Sequence, residues 1–390
     1  MLRITDSRAA RTPRAGHSRR DFLRIGGLGL GGLTLPQLLA VKAAASDAGI
    51  ALRDKAVVFL FMHGGPPQAE LFDPKMTAPS GIRSVTGELK TPIPGVTFGG
   101  TMHQLAPLAD KFNVVRSFAT GSGNHDIKPI VSKETLNANL GSLYARIAGG
   151  SDPVTGMPRN AALFPRSVRD NAGPRVTNFG KFSSTGDIGP AYAPFIPGGK
   201  SNLQSDMTLH LSRQRIDDRR ALLQRVDQLR RDVDKSGALD GVDKFQAQAF
   251  DTIVSGVADA FDISQEDPRT IARYDTEPII SPDRISRVWN NYSKYVDHVQ
   301  TLGKLMLLAR RLVERGAGFV TVTTSFVWDF HADRNNATVD EGMRYVGAPF
   351  DKAVSAFIED CEARGLGDKV LLVCCGEMGR TPKVNKKGGR

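Results

Sequence analysis

Cysteine is scarce in this chain, three in 390 residues, which excludes a disulfide framework as its source of stability. Cys361 stands alone. Cys374 and Cys375 are neighbours in an apolar run, so as strand residues they point to opposite faces and read as small buried hydrophobes. Aromatic residues are only 7% of the chain, too few for rows of base-stacking platforms. No run approaches the ~20 apolar residues of a membrane-spanning helix. The longest, Ala56–Met62 and Val370–Cys375, suit buried strands. A field of one charge sign is missing too. The formal net charge is +11, but +6 of it lies in residues 1–45 and +5 in residues 380–390. Residues 46–379 balance at 39 bases and 39 acids, which excludes a basic nucleic-acid-binding domain.

The N-terminal excess belongs to a leader. Ser18-Arg19-Arg20-Asp21-Phe22-Leu23-Arg24 is a paired-arginine motif, followed by a soft apolar stretch diluted by five glycines between Gly26 and Gly32. Ala43-Ala44-Ala45 offers a small-residue cleavage site. That order predicts a twin-arginine signal over 1–45 and export through the twin-arginine machinery in the folded state. A periplasmic or extracellular protein with no stable membrane span after cleavage is the expectation.

In residues 46–390 the pattern predicts an α/β fold, a mostly parallel central sheet covered by helices on both faces. Near-continuous apolar runs read as buried strands at Lys55–Met62, Phe112–Arg116, Phe319–Thr324 and Lys369–Cys375. Helical spacing recurs at Leu105–Asp110, Leu140–Ala148, Ser286–Arg315 and Pro349–Arg364, while 76–100 reads as a long loop or small hairpin. Residues 150–285 read as an insertion, loop-rich to about 205 and then a charged helical hairpin over 212–262. Within it, Arg213–Lys235 mixes eight bases with five acids, a solvated helix face.

Chemistry in open α/β sheets collects at the carboxyl ends of the strands. Each predicted strand ends in a polar cluster: His63-Gly64-Gly65 with Glu70 and Asp73, then His125-Asp126, then Trp328-Asp329-Phe330-His331-Ala332-Asp333, then Gly376-Glu377-Met378-Gly379-Arg380. Asp329 and His331, two apart, would share one face of an extended chain. A carboxylate and an imidazole presented together suit a divalent metal, with Asp333 orienting the ring. Hydrogen-bonded loop residues pinning the strand tops is the plainer reading. Glu377 ends a buried strand and requires a cation, which could be a metal or Arg380. Arg380 could instead clamp an anionic substrate. His63 precedes two glycines that permit close approach to a ligand. His103, His210 and His298 read as surface or packing residues.

His63-Gly-Gly-Pro-Pro-Gln-Ala-Glu-Leu-Phe-Asp-Pro-Lys75, Leu308–Gly316, Trp328-Asp-Phe-His331 and Gly376-Glu-Met-Gly-Arg-Thr-Pro382 together resemble the bacterial domain of unknown function 1501 family, over roughly Val57 to the last residue. That family is grouped with the alkaline phosphatase and sulfatase superfamily. The resemblance implies an alkaline-phosphatase-like sheet with metal ligands on its carboxyl edge. It also implies an oxygen nucleophile that attacks phosphate or sulfate esters. Asp329 and His331 would serve one metal and Glu377 would stand where an Asp ends the last metal-bearing strand. His63 would lie near the first-strand carboxylate, with Glu70 or Asp73 substituting for it. Pro67 replaces a serine common in the family. Cys361 is followed by Ala363 and Gly365, and Gly365 stands where the sulfatase signature has an arginine. The family's Arg-Asp-His-Trp motif would begin about where the chain stops, so a C-terminally incomplete domain is expected.

These readings converge on an exported metal-dependent hydrolase-like protein acting on phosphate or sulfate esters. Its expected metal ligands are Asp329, His331, Glu377, His63, Asp73 and His125. Its nucleophile candidates are Ser117, Thr120 and Ser122, with Arg380 on the anionic ester, and its metal is zinc or calcium. A non-catalytic extracytoplasmic binding or scaffold protein that retains the fold is the alternative.

Overall fold

Parallel pairing of short apolar strands organises the chain. The computed structural model describes residues 55–198 and 257–390. The expected leader, His210 and the expected helical hairpin up to residue 256 lie outside the described residues. β1 (Ala56–Phe61) leads through the one-turn helix α1 (Gln68–Leu71) to an antiparallel hairpin of β2 (Glu88–Lys90) and β3 (Thr97–Gly99). A 3-10 turn (Ala106–Lys111) and α2 (Leu140–Ala148) precede β4 (Asn160–Leu163). Beyond residue 257 come α3 (Ala258–Phe261), α4 (Pro268–Tyr274), α5 (Tyr292–Glu314) and β5 (Phe319–Val322). Then follow α6 (Val339–Gly342), a π turn at Met343–Gly347, α7 (Ala348–Ala363) and β6 (Val370–Cys375).

The central sheet is parallel throughout, in the order β4-β5-β1-β6. Its register sets Leu60 beside Val322 and Phe61 beside Cys375, so β1, β5 and β6 finish at one level. Strand alternation separates two cores. Val58, Leu60, Val320 and Val322 face the side covered by α5 and α7. Phe59, Phe61 and Phe319 face the other side, where Ile127, Ile130, Phe182 and the α2 residues Leu140 and Tyr144 pack. Cys374 and Cys375 divide between the same two sides, free thiols whose pKa burial pushes up. Along α5, Leu302, Leu305, Leu308 and Leu312 are buried at three- and four-residue steps. Each contributes about 1.5–3 kcal/mol. Among the described residues no helix is long and apolar enough to cross a membrane.

An ionic latch fastens the chain returning at residue 266 to α5 and α7. Arg310, fully buried on α5, meets Glu266 at 2.6 Å, Glu314 at 2.7 Å and Asp360 at 2.8 Å. Arg311 and Arg364 also reach Glu266, at 2.9 and 2.6 Å. Burial alone would raise the Glu266 pKa, but hydrogen bonds from Arg310 and Arg311 win and hold it down from 4.5 to about 2. A folded pKa below the unfolded one gives stability that is present above pH 4.5 and lost as pH falls towards 2. Urea midpoints measured down this range should therefore fall more steeply for the wild type than for Glu266→Gln. Parallel curves would contradict the latch.

Three expectations are corrected. Phe112–Arg116 is not a strand: Asn113 to Phe118 run exposed, with Val115 71% open, because no sheet edge reaches them. β4 comes from the segment expected to be loop-rich, where Asn160–Leu163 pairs with β5. The long helix begins at Tyr292 and not at Ser286. The Ser286 N–H is drawn to the Tyr345 hydroxyl, and the Asn290 and Asn291 N–H groups to the carbonyls of Arg334 and Asn335.

Candidate metal centre

β5 ends at Val322, and further on the chain makes a tight turn in which the His331 N–H donates to the Asp329 carbonyl at 3.1 Å. Trp328 and Phe330 plunge into the core, which turns Asp329 and His331 to the opposite side. The segment crosses the end of β1, where the Val327 and Trp328 N–H groups donate to the His63 carbonyl at 3.1 and 3.0 Å. β6 finishes alongside and delivers Glu377. The buried Glu377 carboxylate accepts the Gly64 N–H at 2.8 Å.

His125 joins these elements although it follows no strand. Its Nδ1 lies 2.9 Å from Glu377 Oε1, and its Nε2 lies 3.6 Å from Asp329 Oδ1. With Nδ1–H donating to the Glu377 carboxylate, Nε2 is the ring nitrogen left to face the Asp329 oxygen. His331 Nε2 approaches the same Oδ1 at 2.8 Å. Among the described residues, His125, Asp329 and His331 form one group whose ligand atoms all lie within 4.8 Å of one another. Asp329 Oδ2 accepts from the Asn336 side chain at 3.2 Å.

Arg380 is the nearest fixed cation. Its Nη1 sits 2.8 Å from Asp329 Oδ1 and donates to the Gly64 carbonyl, and its Nη2 donates to His331 Nδ1 at 2.7 Å. Nε and Nη2 both donate to the Arg390 carbonyl. Gln68 grips the Arg380 backbone from both sides, donating to its carbonyl and accepting its N–H, each at 2.8 Å. Burial raises the Asp329 pKa, opposed by Arg380 and His331, while burial lowers that of His331, opposed by Asp329.

The expected residues are thus only partly assembled. Asp329 and His331 meet, and His125 meets them. Glu377 stands behind His125, orienting the ring. It pairs with His125 and the Gly64 N–H, whereas Arg380 pairs with Asp329. Arg380 is thus engaged with Asp329, His331 and the Gly64 and Arg390 carbonyls.

His63 is fully enclosed by the rings of Phe61, Phe179, Phe182 and Phe326, and neither of its ring nitrogens has a hydrogen-bond partner. Burial lowers its pKa, although Glu377 pulls the other way. Asp73 bridges Lys75 at 2.7 Å and Arg116 at 3.4 Å. Glu70 holds the 84–86 loop through Ser84, Val85 and Thr86, and meets Arg390 at 3.2 Å.

Asp333 does not orient His331. It caps the Asn335 and Asn336 N–H groups at 2.8 and 2.7 Å, and so positions Asn336 on Asp329. Among the nucleophile candidates, Thr120 donates to the Ser122 carbonyl and Ser122 Oγ accepts from Asn124 and Lys128. Ser117 is exposed. Sequence reasoning missed Asn336, although the Asp333–Asn336 turn pattern signalled it. It also missed Gln68 and the two rings beside His125, Phe179 and Phe326, whose roles arise from contacts distant in sequence. His298 is a packing residue: its Nδ1 lies 2.7 Å from the Thr324 hydroxyl, and burial brings its pKa down to about 4.

A parallel α/β sheet that presents a buried acid between two imidazoles beyond its carboxyl edge defines an α/β protein with a candidate metal centre. The model of the family described as "Protein of unknown function (DUF1501)" matches residues 54–390, and the chain belongs to that family. No curated protein and no solved structure matches it.

Proposed function

We propose that this is an exported, divalent-metal-dependent hydrolase-like protein acting on phosphate or sulfate esters. One observation carries the reading. His125 Nε2 and a buried oxygen of Asp329 face each other 3.6 Å apart, and His331 closes the same group. A divalent cation held among these three groups would satisfy the buried carboxylate and take up imidazole lone pairs. Asp329 Oδ1 has His331 and Arg380 nitrogens at 2.8 Å, but neither is directed at it as a hydrogen bond. The residues therefore fit an ion.

Two imidazoles and one carboxylate suit zinc better than calcium, which prefers six to eight oxygens. Glu377 supports this set from behind, fixing the tautomer and orientation of His125. Arg380 Nη2 lies 2.7 Å from Nδ1 and 3.1 Å from Nε2 of His331, beside the Asp329 carboxylate. An imidazole nitrogen must be unprotonated to bind a cation, so uptake weakens as pH falls. When bound, the ion would draw charge from an ester oxygen and stabilise the charge that develops there. Asn336 and Arg380 hold Asp329 in place, and Gly64 holds Glu377.

The scaffold alternative is favoured by a specific observation. Arg380 already supplies positive charge to Asp329, and no candidate hydroxyl is hydrogen-bonded to a histidine or carboxylate. Turnover separates the two readings. Zinc-loaded protein should hydrolyse para-nitrophenyl phosphate or sulfate, lose that activity to a chelator and regain it with zinc. Bound zinc without turnover of either ester would favour the scaffold.

A further inference from the structure

Phe179 breaks two local rules beside the candidate centre. Its φ is +64°, a left-handed conformation that is a genuine outlier for a bulky residue, and its side chain leaves it 46% exposed. Its carbonyl is held by the Ile127 N–H at 3.3 Å, so the position is tied down two residues from His125. The ring centroid lies 5.5 Å from that of His125 and 5.0 Å from that of Phe326. Phe326 is buried and stands edge-on to His125 at 4.8 Å and to His63 at 4.9 Å. The centre therefore has a polar side, made of Asp329, His331 and Arg380, and an apolar side made of Phe179 and Phe326. Strained backbone persists where the surroundings enforce it, and such outliers cluster at ligand-binding sites.

Resting on the hydrolase reading above, we infer that Phe179, backed by the buried Phe326, forms an aromatic subsite that receives the aryl half of the ester substrate. An aryl phosphate or sulfate has the matching polarity: an anionic head for the ion and a flat apolar group one bond away. A half-open phenylalanine ring offers stacking or edge-to-face contact at the 4.5–7 Å centroid separations that aromatic pairs adopt. His63 contributes by filling the space behind Phe326 and keeping that wall in place. The subsite selects aryl over small alkyl esters.

The test uses non-hydrolysable probes on the zinc-loaded full chain, with phenylphosphonate and methylphosphonate affinities measured calorimetrically. Wild type should prefer the phenyl compound by about tenfold or more, the size of effect that one aromatic contact supplies. Phe179→Ala should lose most of that preference while its zinc content stays at the wild-type level, and Phe179→Tyr should keep it. Equal affinity for the two probes, or a preference that survives in Phe179→Ala, overturns the subsite and leaves the metal centre standing. Wild-type protein that takes up no zinc overturns the centre and the subsite together.

Discussion

Asp329→Asn is expected to abolish stoichiometric zinc uptake. Asp329 is the only anionic ligand in the His125, Asp329 and His331 group, and its side chain keeps its shape in the substitution. The affinity should therefore fall by more than the roughly 10–100-fold that loss of a supporting partner costs. The same change leaves the Arg380 guanidinium buried without the carboxylate that lies 2.8 Å from it. Breaking a buried pair from one side costs roughly 3–5 kcal/mol, so the variant should also be less stable. The double variant Asp329→Asn with Arg380→Gln separates the two effects. It should recover much of the stability and none of the zinc. Zinc uptake that returns in the double variant would show that Asp329 matters to folding and not as a ligand.

Gly64→Ala should be severely damaging at the sheet edge. Gly64 has φ +121°, and a Cβ there would lie 2.6 Å from the Asp329 nitrogen and 2.8 Å from the Trp328 nitrogen. Both obstacles are backbone, so no rotamer change relieves them. The Gly64 N–H is bonded to Glu377 and its carbonyl to Arg380, so any displacement disturbs both supports of the centre at once. We expect a loss above about 4 kcal/mol, in the range that marks a specific structural failure. Gly95→Ala is the control, because it too has positive φ, +78°, but nothing lies within 4 Å of its Cβ. It should cost only the conformational penalty, about 1–2 kcal/mol. Urea unfolding of the two variants reads the difference, and similar losses would contradict the close crossing of β1 and the 327–329 segment.

What the sequence disclosed follows from what is local. β1, β5 and β6 were legible because each is a near-continuous apolar run, although β6, last in the strand order, is only partly buried. β4 was not, since Asn160-Ala-Ala-Leu163 is short and owes its conformation to pairing with β5. Phe112–Arg116 has strand composition but no strand partner, and composition cannot supply one. At the site, Asp329 and His331 do meet, but through a tight turn at 329–331 and not along an extended strand. Their partners were harder to read. Glu377 is the carboxylate nearest to Arg380 in sequence, yet the fold gives Arg380 to Asp329, 51 positions away, and gives Glu377 to His125. Glu70, conspicuous beside His63 in sequence, serves a loop instead.

The central claim is that a divalent ion binds between His125, Asp329 and His331. X-ray absorption spectroscopy of the zinc-loaded chain tests it most directly. The claim predicts a first shell of nitrogen and oxygen at about 2.0–2.2 Å with the outer-shell signature of imidazole. Absence of bound zinc, or a sulfur shell near about 2.3 Å pointing to the cysteines, would contradict it.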